Sequence, residues 1–231
     1  MGGFANNAPI VTDGLVFYVD AGNSKSYPGS GTTWSDLVGS DNGTFSATPT
    51  TDSANGGSIV FDGTDDTVSF TEFSTSGLSS FTLDVWVYID ADPSDGTVIG
   101  MWGDSSSRSF LIWWDVGVTA NFRFITQNAS SQNTITSESD DNANNNDWNH
   151  VVATFDSASE IKLYVNNALT DTVSHASTPF TLKTTSGFEI GDDSSNSRWL
   201  DGKVSSAKIY NRVLSASEVT QNYNALKNRF V

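Results

Sequence analysis

Short runs of alternating apolar and polar residues recur along the chain, separated by Gly, Asn, Asp and Ser. Phe81-Thr82-Leu83-Asp84-Val85-Trp86-Val87-Tyr88-Ile89 is the clearest of them. A period of two puts Phe81, Leu83, Val85, Val87 and Ile89 on one face of a strand, and Thr82, Asp84, Trp86 and Tyr88 on the other. The same reading predicts strands over 15–19, 57–61, 67–70, 97–102, 110–114, 121–126, 148–155, 160–165, 168–173, 187–191 and 203–210. Asn166-Asn167 joins two of these as a hairpin turn that needs positive φ. A Gly/Ser/Pro loop is read over 22–33, before Trp34. One helix is predicted: Ser215-x-x-Glu218 is a capping box, Val219, Tyr223 and Leu226 follow at helical spacing, and Lys227 suits the helix dipole at the end. Strands at this spacing with polar turns indicate an all-β sandwich of antiparallel sheets.

Composition narrows the partners. The chain has 231 residues, 27 acidic against 11 Lys plus Arg, a formal charge of −16 and no Cys. Phosphate recognition needs clustered cations, so nucleic acid is excluded as a partner, and insertion into anionic membranes is disfavoured. No run reaches the ~18 apolar residues of a membrane span, and the first residues lack the basic and apolar stretches of a signal peptide. Disulfides, thiol catalysis and Cys-bound zinc are ruled out. The length suits one domain over 12–231 preceded by a small polar arm over 1–11, whose residues 1–9 are expected to dock on a partner chain or stay mobile.

Candidate chemistry is sparse. Retaining glycosidases place two carboxylates about 5 Å apart, and no strand here alternates acids. Asp84 has Thr82 and Trp86 at i±2, and Glu189 has Gly191 at i+2. His150 and His175 lack any paired ligand spacing and are read as structural. Asp62-Gly63-Thr64-Asp65-Asp66, Asp201-Gly202 and Asp20 offer the oxygen ligands and sharp turns that calcium takes, and equally the residues that ordinary turns take. Trp113 and Trp114 are adjacent, so a strand sends them to opposite faces. Aromatic faces, those of Tyr88 and Trp86 among them, stack on sugar rings or bury under loops and interfaces.

FTLDVWVYID, WNHVVATFDSASEIKLYVNNAL and FEIGDDSSNSRWLDGKVSSAKIYNRVLSASEV together resemble the concanavalin A-like lectin/glucanase superfamily in its laminin G-like branch. The resemblance runs from Thr12 to about Tyr223. IVTDGLVFYVDAGNSKSYPGSGTTWSDLVGSDNGTFS and SIVFDGTDDTVSF are similar to stand-alone laminin G-like proteins of tailed bacteriophages. The resemblance implies a jelly-roll sandwich of two antiparallel sheets with a short C-terminal helix. It implies a non-enzymatic virion surface protein, a head decoration or tail fibre component, made in the host cytoplasm and displayed on the particle. Its implied partners are a major capsid or tail protein and a host surface glycan, with a homotrimer as a common assembly. Sugar would stack on Trp113 or Trp114 and on Tyr88, with Arg108 and Arg198 in flanking loops. The implied calcium set is Asp20, Gly63 and Asp201. The alternative is a free-standing calcium-dependent lectin module. Glucanase members carry a strand of alternating acids that this sequence lacks.

Overall fold

The computed structural model describes residues 9–46, 50–90, 94–102, 108–117, 120–129, 134–139, 143–175, 182, 186–192 and 198–230. In chain order the strands are β1 (Leu15–Asp20), β2 (Thr33–Trp34), β3 (Gly43–Phe45), β4 (Thr50–Asp52), β5 (Ser58–Asp62), β6 (Val68–Ser74), β7 (Ser80–Ile89) and β8 (Gly96–Met101). They continue as β9 (Phe110–Asp115), β10 (Asn121–Gln127), β11 (Thr134–Glu138), β12 (Asp147–Asp156), β13 (Glu160–Val165), β14 (Ala168–Ser174), β15 (Ser186–Ile190) and β16 (Asp201–Tyr210). Helix α1 (Ala216–Leu226) follows.

All strand pairs are antiparallel, and they form two sheets. The first runs β14-β13-β12-β7-β16-β5-β4, with β1 also on β16; the second runs β11-β10-β9-β8-β15-β6-β3-β2. β16 borders β7 on one side and divides its other side: residues 201–204 pair with β5 and 206–210 with β1. The predicted strands are all present among the described residues, most lengthened by a residue or two. β2, β3, β4 and β11 were not predicted, and β2 begins inside the segment read as loop.

The core lies between the sheets, where alternation places it. Phe81, Leu83, Val85, Val87 and Ile89 of β7 all enter one apolar cluster with Phe17, Phe70, Phe110, Trp114, Phe155 and Phe188. Aromatic edges and faces interlock there: Phe17 meets Phe70 edge-on at 4.9 Å, and Phe70 stacks on Phe188 at 4.7 Å. Each such pair adds about 0.5–1.5 kcal/mol beyond area burial. The hairpin turn is as predicted, with Asn166 at φ 52° and Asn167 at φ 70°. Both lie in the left-handed region that Asn tolerates and that matches strand twist.

The other face of β7 is not solvated. α1 begins with the predicted capping box: the Ser215 side chain accepts from the Glu218 N–H, and the Glu218 carboxylate accepts from the Ser215 N–H at 2.8 Å. The helix and the residues after it lie over the first sheet. Trp86 stacks on Phe230 at 4.4 Å and on Tyr223 at 5.7 Å, and Trp148 meets Phe230 at 4.6 Å. Lys227 is the C-cap, its N–H donating to the Tyr223 carbonyl and its ammonium 5.5 Å from the Tyr223 ring. The arm closes the same face. Val11 is buried against Tyr210, Leu214 and Val219, and the Pro9 carbonyl accepts from Gln221 at 2.7 Å. The described part of the arm therefore packs on its own chain, while residues 1–8 lie outside the described residues.

Candidate functional site

The outward face of the second sheet carries the aromatic residues that face away from the core. Alternation along β9 sends Phe110, Ile112 and Trp114 inward and Leu111 and Trp113 outward. Trp102, Leu111 and Ile125 form a small cluster on that outward face, with Trp113 packed against it. Two cations flank it. The Arg198 guanidinium lies 4.2 Å from the Trp113 ring centre, and that of Arg108 lies 5.4 Å from the Trp102 ring centre. Cation–π contacts at these distances contribute about 0.5–2 kcal/mol each. Thr97 stands opposite Trp113 in the β8–β9 ladder. Among the described residues, the Thr97 hydroxyl and the Trp113 indole N–H are buried without a protein partner. Such orphans are costs that a water or a ligand hydroxyl removes.

Carboxylates on this face are engaged. Arg123 Nε lies 2.9 Å from Asp115 Oδ2, and its Nη2 lies 3.2 Å from Glu138 Oε1. Ser69 donates to Glu189 at 3.3 Å. Among the described residues, no strand of this face presents alternating acids.

The five residues singled out for sugar binding therefore separate. Trp113, Arg108 and Arg198 share the outward face of the second sheet. Trp114 is in the core, 1% exposed, with its ring edge on Phe122 at 4.9 Å. Tyr88 is on the opposite sheet, where it packs on Trp148, donates to Asn146 at 2.7 Å and lies 5.1 Å from the Lys203 ammonium. Trp102 is buried in the cluster that supports Trp113 and was not anticipated; its signal was an outward position at the end of an apolar strand. The Arg108 and Arg198 loops are only partly seen, since 103–107 and 193–197 lie outside the described residues.

Under α1 sits a buried polar cluster. Asp84, Lys208, His150, Asn222 and Tyr210 are all fully buried. Lys208 Nζ donates to Asp84 Oδ1 at 2.8 Å, and His150 Nε2 lies 3.2 Å from the same oxygen. Burial pushes the Asp84 carboxyl upward, but Lys208 and His150 outweigh it and hold the group below the usual carboxylate range. Burial also raises the Tyr210 hydroxyl well above an ordinary phenol, with the Asp84 charge adding to the effect. His150 tilts against Trp86 at 4.9 Å, and His175 stacks on Phe155 at 6.0 Å, so both histidines have packing roles.

The residues of the implied calcium set do not converge. Asp20 pairs with Ser206 on β16, whereas Asp201 pairs with Asp62. Those positions are five steps apart along the strand, roughly 16 Å at about 3.3 Å per residue. Asp20 is also occupied: it accepts from Arg229 at 3.0 and 3.1 Å, from Tyr18 at 2.9 Å and from the Gly22 N–H at 2.8 Å. Gly63 and Asp201 do adjoin. Gly63 has φ +72°, and a Cβ there would stand 3.0 Å from the Asp201 Cβ. Ligand oxygens of Asp62, Asp65 and Asp66, in the same turn, lie within 4.8 Å of one another. Burial, then the Asp62 charge, raises the Asp66 carboxyl above its ordinary value.

This geometry defines a class first: a two-sheet antiparallel jelly-roll sandwich with one face closed by its own C-terminal helix. The model of the concanavalin A-like lectin/glucanases superfamily matches residues 62–220, and the chain belongs to that superfamily. No curated protein sequence matches the chain. Solved structures do. The receptor binding domain of botulinum neurotoxin C/D mosaic serotype aligns with a TM-score of 0.70 at 13% identity, over 91% of this chain and 51% of that one. The botulinum neurotoxin serotype D ligand binding domain, solved in complex with N-acetylneuraminic acid, gives 0.69 at 13% identity, over 91% and 50%. The binding domain of Paraclostridial Mosquitocidal Protein 1 gives 0.66 at 14% identity, over 92% and 52%. The chain thus spans about half the length of each, and the likeness is one of fold.

Proposed function

We propose that the chain is a non-enzymatic glycan-binding module, displayed on a bacteriophage particle as a head decoration or tail fibre component. The observation that carries the glycan reading is the half-buried Trp113 ring on the outward face, backed by the buried Trp102 and flanked by Arg108 and Arg198. Flat aromatic rings with polar groups beside them match a sugar ring, which has an apolar face and a rim of hydroxyls. The superfamily and the binding domains with this fold, one of them solved with a sialic acid, support the reading. Engaged carboxylates on the platform face support a binding role over hydrolysis. The phage setting rests on the sequence resemblance of the first third of the chain.

A glycan array tests the first part, run once with calcium and once with chelator. Binding to at least one glycan, lost in Trp113→Ala at unchanged fold, is the expected result. No binding under either condition removes the glycan reading. Mass spectrometry of purified particles tests the setting, which fails if the chain is absent from them.

A further inference from the structure

We propose that the buried cluster beneath α1 is a self-modification site, in which Lys208 and Asn222 become joined by an amide bond with Asp84 as the proton carrier. The inference is independent of the glycan reading. Three elements bring the groups together: Asp84 from β7, Lys208 from β16 and Asn222 from α1, all fully buried. One carboxylate binds both groups, the amine on one oxygen and the carboxamide on the other. Lys208 Nζ donates to Asp84 Oδ1 at 2.8 Å, and Asn222 Nδ2 donates to Asp84 Oδ2 at 2.7 Å. The Val11 N–H donates to Asn222 Oδ1 at 2.8 Å, where charge would develop during attack on the amide carbon. Asn222 Nδ2 also donates to the Tyr210 hydroxyl at 2.9 Å, and that hydroxyl donates to the Val11 carbonyl at 3.0 Å, which fixes the amide plane. A nucleophile, an acid–base group, an electrophile and an oxyanion donor are thus present in one fully buried site.

The step balances without a cofactor. A proton moves from the Lys208 ammonium to Asp84 along their hydrogen bond, leaving a free amine. The Nζ lone pair bonds to Asn222 Cγ, and the carbonyl electrons pass to Oδ1 beside the Val11 N–H. Asp84 protonates Nδ2 and takes the surplus proton from Nζ. The carbonyl re-forms, the Cγ–Nδ2 bond breaks, and ammonia leaves with that proton as ammonium. Asp84 is again a carboxylate. In sum, one ammonium group and one primary amide become one secondary amide and one ammonium ion. Full burial of Lys208, Asp84 and Asn222 keeps bulk water from competing with the amine.

The test is tryptic mapping and intact mass of the purified full-length chain after unfolding. The expected intact mass is below the sequence mass by one ammonia. The expected map contains a branched peptide joining the segments around Lys208 and Asn222, with no cleavage after Lys208. Asn42 and Asn55 each precede Gly and can shed ammonia as succinimides, so the branched peptide is the deciding signal. Lys208→Arg, which keeps a cation facing Asp84, is expected to lose the branch. Should that variant not fold, the wild-type map alone decides. Separate, unbranched peptides bearing Lys208 and Asn222 overturn the proposal. So does a branch from Lys208 to Asp84 with loss of water.

Discussion

Trp113 and Trp114 differ by one position and by everything that position decides in a strand. Trp114 fills the core, so Trp114→Ala is expected to cost about 3–5 kcal/mol, read as a fall in denaturant midpoint. Trp113 is half-buried on the outward face, so Trp113→Ala is expected to cost less, about 1–2 kcal/mol, while removing glycan binding. The opposite ranking would place the ligand platform elsewhere. Their divergence was legible from adjacency alone. Which one faces inward was not, because that depends on the register of β9 in a sheet built from distant strands. Asp20 makes the same point. Its partner Arg229 is 209 positions away, beyond any local pattern. Asp20→Asn removes a two-oxygen contact to a guanidinium and is expected to lower stability by about 1–3 kcal/mol. The loss in Tm should be equal with calcium and with chelator. A loss confined to the calcium sample would restore Asp20 as a ligand.

At the scale of elements, α1 was legible because its signals are local. Its capping box spans four residues, and Val219, Tyr223 and Leu226 repeat at helical spacing. The strands that escaped, β2, β3 and β4, have two or three residues each, too few to show alternation. β11 is mostly hydroxyl residues, so its polarity reads as loop. What α1 covers was not legible either. Trp86 and Asp84 lie on the face of β7 that alternation assigns to solvent, and only tertiary packing shows them buried under a helix that starts 130 residues later. The helix also carries an acid-sensitive anchor. Hydrogen bonds from Arg212 outweigh the upward push of burial and, with further help from Ser215, lower the Glu218 carboxyl to about 2. A group lowered on folding contributes stability above its unfolded value, about 4.3, and loses it as pH falls through the folded value. Wild-type stability should therefore decline between about pH 5 and pH 2. Asp84, lowered by Lys208 and His150, acts in the same direction. Glu218→Gln is expected to lower Tm at pH 7 and to flatten that decline. An unchanged slope in urea midpoints across the range would show that Glu218 is not the anchor.

For the whole molecule, two sheets give two outward faces, and they are not equivalent. The first sheet buries its outward face beneath α1, Phe230 and the arm at Val11, around a buried polar cluster. The second sheet leaves Trp113 and two arginines beside its small apolar cluster. A formal charge of −16 makes ionic attraction of an acidic partner unfavourable over the surface at large. Stacking and hydrogen bonding at one face are the interactions left to provide affinity. Ligand contact should therefore be confined to one side of the sandwich. Hydrogen exchange reports this directly, because a ligand raises protection where it orders the backbone. With a binding glycan added, amides of β9 and β10 are expected to gain protection, while those of β12, β13 and α1 stay unchanged. Protection appearing in α1 and β12 instead would move the site to the face that the helix covers. It would also mean that the helix lifts to admit the ligand, breaking the Trp86–Phe230 stack and the contact between Asn222 and Asp84. If Lys208 and Asn222 are covalently joined, such lifting is blocked at that point, and the second sheet is the face that remains open to a ligand.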